Sequence, residues 1–136
     1  MGRMSKVLPA VGVTLLACAF TSDAHAAMCI RLFSEPKQPM AGVAARIGLR
    51  TFAPLPNGEL RPSKVRDYPF RVQAVAPGGR IHRVSIKPSQ RNEYAWIGTF
   101  LFARKVVWTI RVINFPGYPK GCAEVLRVRV RAAEPA

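Results

Sequence analysis

Residues 124–131 alternate more strictly than any other part of the chain. Leu126, Val128 and Val130 fall on one side of an extended ribbon, and Arg127, Arg129 and Arg131 fall on the other. A period of two is the signature of a strand with one wet and one dry face, and a helix cannot use it. The same period returns in residues 106–114. There Trp108, Ile110 and Val112 oppose Thr109, Arg111 and Ile113. In residues 43–52 it sets Val43, Ala45, Ile47 and Leu49 against Ala44, Arg46, Gly48 and Arg50. Residues 29–33, 70–75, 80–86 and the aromatic run 94–102 complete the set.

Turn chemistry separates these runs. Pro77-Gly78-Gly79 reads as the tip of a hairpin, and Asn57-Gly58 marks a turn within a polar, proline-rich loop over 54–69. No stretch of useful length carries the helical period. About seven short strands joined by Pro/Gly turns predict an all-β domain, an immunoglobulin-like antiparallel sandwich, with a five- or six-stranded barrel as the alternative. Its buried face should include Ile47, Leu49, Phe70, Val72, Trp108, Ile110, Val112, Leu126, Val128 and Val130.

The first 26 residues read differently. Arg3 and Lys6 precede an apolar run over 7–20, and Ala24-His25-Ala26 follows it. A basic start, a short apolar stretch and a small-residue site describe a secretory signal peptide. The run falls short of the roughly 20 residues that a spanning helix needs. The expected organisation is therefore a signal peptide at 1–26 and one domain at 27–136, secreted or periplasmic. Leu15-Leu16-Ala17-Cys18 offers a lipoprotein cut with Cys18 acylated, although leucine two before the cysteine suits that motif poorly. Once Cys18 leaves with the leader, Cys29 and Cys122 remain. An even pair of thiols in an exported domain predicts a disulfide.

The segment EYAWIGTFLFARKVVWTIRVIN resembles the C-terminal half of small exported immunoglobulin-like domains of the YtkA-like type. Tyr94, Trp96, Phe100, Phe102 and Trp108 occupy the comparable positions, and YPFRVQAVAPGGR resembles the family's hairpin. Val107 stands where that family usually has a glycine. The likeness spans residues 68–114. It implies an extracytoplasmic module and a fold more than an activity.

Catalysis has little to draw on. Beyond the leader, His82 is the one histidine, and the thiols are expected to be bonded to each other. A nucleophile needs a base beside it and a third group to orient that base. The acids Glu35, Glu59, Asp67, Glu93, Glu124 and Glu134 fall in loops or near strand ends, with nothing to pair them. Phosphate-loop, dinucleotide and zinc spacings do not occur. The reading is of a protein that is no enzyme and uses no cofactor.

Charge is the strongest functional signal. The chain carries 21 Lys+Arg against 7 Asp+Glu, a formal net charge of +14. If the last two strands pair, Arg111, Arg127, Arg129 and Arg131 share one sheet face, and Arg46, Arg50 and Arg71 extend the basic exterior. Guanidinium grips carboxylate and phosphate in a bidentate manner. The expected role is an accessory or interaction module of the cell envelope, with an anionic envelope polymer or an acidic protein as partner. The export signal and the lack of a binding motif argue against nucleic acid. A solvated basic face that keeps strands soluble competes with this reading.

Two further sites complete the expectations. Cleavage after Ala24 would expose His25, whose amine and imidazole chelate copper, with His82, Met28 and Met40 as further ligands. Copper-carrier sandwiches of the CopC type resemble that plan. Tyr94 and Tyr118 could offer an aromatic platform to a carbohydrate.

Overall fold

The computed structural model describes residues 27–117, 119 and 121–133. The expected signal peptide, with Cys18 and His25, lies outside the described residues, as do Tyr118 and Glu134. Nine strands follow in chain order: β1 (Cys29–Glu35), β2 (Ala44–Pro54), β3 (Leu60–Pro62), β4 (Val72–Val75), β5 (Ile81–Val84), β6 (Lys87–Pro88), β7 (Ala95–Leu101), β8 (Val107–Val112) and β9 (Leu126–Arg129). Among the described residues there is no helix.

The strands form two antiparallel sheets. One runs β1-β2-β7-β6, with β3 paired to β2, and the other runs β5-β4-β8-β9. Apart from the short β3, four strands facing four in this order is the connectivity of an immunoglobulin-like sandwich with an added edge strand on the second sheet. Seven strands were expected. The two extra ones, β3 and β6, are short and proline-bearing, and both sit where the sequence reads as loop.

Alternation is what builds the core. Along β2, Ala45, Ile47, Leu49 and Thr51 are buried, while Ala44, Arg46 and Arg50 are exposed. Ile30, Leu32, Trp96 and Phe102 join them from the first sheet. Phe70, Val72, Ala74, Val84, Trp108, Ile110, Val128 and Val130 face them from the second side. Eight of the ten residues expected inside are buried. Val112 and Leu126 are half-buried and pack against the same cluster.

Polar atoms at the core margin find partners. The Thr51 hydroxyl donates to the Ser63 and Tyr94 carbonyls. The Trp96 indole N–H donates to the Val65 carbonyl at 2.7 Å, which pins the long β3–β4 loop to the first sheet. Asn114 secures the far side of that loop. Its amide donates to the Pro69 carbonyl at 2.6 Å, and its side-chain oxygen accepts the Arg71 N–H at 2.8 Å.

Cys29 and Cys122 form the expected disulfide. It ties the start of β1 to the segment entering β9. Beside it the Ile30 N–H donates to the Cys122 carbonyl, and Ile30 and Ala123 form a parallel bridge. A second parallel bridge, Met40 to Arg131, joins the two elements again at the opposite end. No helix among the described residues is long and apolar enough to cross a membrane.

Candidate functional site

The second sheet puts the arginines where the alternation requires. β9 pairs β8 with Thr109 opposite Arg127 and Val107 opposite Arg129. β8 pairs β4 with Arg111 opposite Gln73, and β4 pairs β5 with Gln73 opposite Arg83. These residues project outward, because Trp108, Ile110 and Val128 between them point into the core. The outer face therefore carries Arg83, Arg111, Arg127 and Arg129, with Arg71 just ahead of β4.

This face is not uniformly polar. Ile81, Val107, Ile113 and Val125 are exposed on it or at its margin, four of the six large apolar side chains that stand exposed among the described residues. They alternate with the guanidinium groups across the rows. No sequence motif singles them out. The signal was there in the same alternation, since each occupies the parity of the arginines.

The four arginines expected to act together are not equivalent. Arg127 and Arg129 are exposed. Arg111 is half-buried, and its guanidinium donates to the Gln73 side-chain oxygen at 3.1 and 3.2 Å. Arg131 lies beyond β9, and its Nε donates to the Gln38 carbonyl at 3.3 Å. Arg46 and Arg50 belong to β2, so they extend the basic exterior on the opposite sheet. Arg50 stacks over the Phe33 ring, 4.4 Å from its centroid.

The acidic side chains also gather toward one end. Glu59, Asp67, Glu93 and Glu124 precede or follow strands at the end that holds the disulfide. There Glu124 meets Arg31 at 2.6 Å, the one ion pair among the described residues. Glu93 also holds the Tyr94 phenol above its ordinary range, through a hydrogen bond first and its charge second. The opposite end carries Arg80, Arg104, Lys105, Arg129 and Arg131, with Glu35 as its described acid.

His82 is not the surface residue that its place in a hairpin implies. It points inward, half-buried, with its ring 5.5 Å from that of Trp108 and 6.0 Å from that of Phe100. Arg80 and Arg104 share its pocket. Two guanidinium groups there repel a cation, and no three His, Cys, Asp or Glu cluster as a metal site among the described residues.

The chain matches no model of a known protein family, and no curated protein matches its sequence.

Proposed function

We propose that this protein is an exported, non-catalytic binding module that engages an anionic partner of the cell envelope through the outer face of the β5-β4-β8-β9 sheet. The observation that carries this reading is the register of β8 and β9. It sets Arg127 and Arg129 on one flat face, in rows with Val107 and Thr109. Residues two apart on a strand stand about 7 Å from each other, a spacing that a run of carboxylates can follow. Exposed Ile81, Val107 and Val125 add apolar contact area on or beside that face. The disulfide supports the export half of the proposal.

Immobilised polyglutamate supplies the test. The protein should be retained at low salt and elute as ionic strength rises. Arg127→Gln with Arg129→Gln should elute at clearly lower salt. Arg46→Gln with Arg50→Gln removes the same charge from the opposite sheet and should elute close to the parent. Equal shifts for the two pairs would mean that net charge alone governs binding, and the face would lose its role.

A further inference from the structure

The basic end of the sandwich holds a pocket that the outer-face reading does not use. It opens between the β4–β5 hairpin and the β7–β8 turn, with a volume of about 140 Å³. Trp108, Phe100 and His82 form its aromatic wall, Ala76 and Ala103 leave room, and Arg80 and Arg104 stand at its rim. Phe100 meets Trp108 edge to face at 5.7 Å. No carboxylate lines this pocket, so neither guanidinium is neutralised within it.

We infer that this pocket binds a small aromatic carboxylate, the ring against Trp108, Phe100 and His82 and the carboxylate at Arg80 and Arg104. Size sets the first limit. Pockets for drug-sized ligands and cofactors span about 300–1,000 Å³. An apolar cavity of about 150 Å³ holds a single benzene ring. The walls set the second limit, because aromatic rings pack best against ring edges and faces at such separations. Charge sets the third. Two arginines at the mouth select a monoanion that can accept their fork of donors, and they exclude amines and metal ions.

The Trp108 indole N–H is buried without a hydrogen-bond partner, alone among the buried side-chain polar atoms of the described residues. Buried donors in native structures are satisfied as a rule. The ring that carries this one is also part of the pocket's wall, so its N–H resonance reports on what packs there.

Benzoate is the probe, added to the full disulfide-bonded protein and followed through the two indole N–H resonances. The Trp108 signal should move saturably. The Trp96 signal, whose N–H is held by Val65, should stay. Benzyl alcohol lacks the charge and acetate lacks the ring, so each should bind roughly tenfold more weakly or less. Arg104→Gln, in an exposed turn, should weaken benzoate roughly tenfold with an unchanged melting temperature. The double variant Arg127→Gln and Arg129→Gln should bind benzoate like the parent, which separates this site from the outer face. An unmoved Trp108 signal, equal movement of both indoles, acetate binding as well as benzoate, or full affinity in Arg104→Gln would each overturn the assignment.

Discussion

Gly98 shows how a single residue sets the layering. It lies on the inner side of β7, opposite Ile47 of β2. A Cβ there would collide with the Ser85 carbonyl, which is backbone and cannot swing away. Ser85 is where the chain leaves β5 in one sheet to enter β6 in the other, so the missing side chain is what lets the crossover approach. A glycine inside a strand often marks such a close approach. Gly98→Ala should destabilise the fold by about 1–3 kcal/mol, the usual range for overpacking a tight site. Urea unfolding would measure it, and a parent-like midpoint would show that the crossover shifts freely. His82 teaches a related lesson. A lone histidine in a hairpin reads as surface, but strand parity turns it toward Trp108. Parity outranks residue type and hairpin location, because successive side chains on a strand take opposite faces.

At the scale of the strand, inside and outside should differ in energy as sharply as they do in burial. β8 lies between β4 and β9, with Ile110 fully buried and Ile113, just past its end, half exposed. Ile110→Ala should cost about 3 kcal/mol through lost burial and the cavity left behind. Ile113→Ala should change stability by about 0.5 kcal/mol or less. Chemical denaturation of both variants checks the pair, and similar losses would refute the alternation. The same alternation made most of the sandwich legible in advance. Trp108, Ile110, Leu126 and Val128 carry the period without interruption, and the Pro77-Gly78-Gly79 tip places its hairpin; Gly78 has the positive φ of 92° that such a turn requires. β3 and β6 were not legible. Each is too short to show a period, three residues in β3 and two in β6, and pairs across a short loop with its chain neighbour, β2 for the one and β7 for the other. Pro62 and Pro88 also read as breakers. The arginine face was half legible. Parity placed Arg127 and Arg129 correctly, but no local pattern reveals that Arg111 reaches Gln73, or that pairing order carries Arg46 and Arg50 to the other sheet.

For the whole molecule, the decisive question is what holds β1 to β9. They are the outer strands on one side of the two sheets, and parallel bridges at either end link the segments they belong to. Hydrogen bonds there are few. The Arg31–Glu124 pair beside the disulfide is about half exposed on both partners, and exposed pairs contribute roughly 0–1 kcal/mol. The covalent link is of another order. Cys29 and Cys122 are 93 residues apart in sequence, so in the chain-entropy account closing that loop is worth about 4–5 kcal/mol. A domain of this size has about 5–15 kcal/mol in all. Reduction should therefore remove a large part of the stability while leaving the β-rich fold in place without denaturant. Urea melts of the full protein with and without reductant, compared with Cys29→Ser/Cys122→Ser, should agree on a loss of about 3–5 kcal/mol. Arg31→Gln should move the midpoint only slightly. If reduction changed stability no more than Arg31→Gln does, closure of the sandwich would rest on the core under Ile30 and Val128, and the disulfide would be incidental to it.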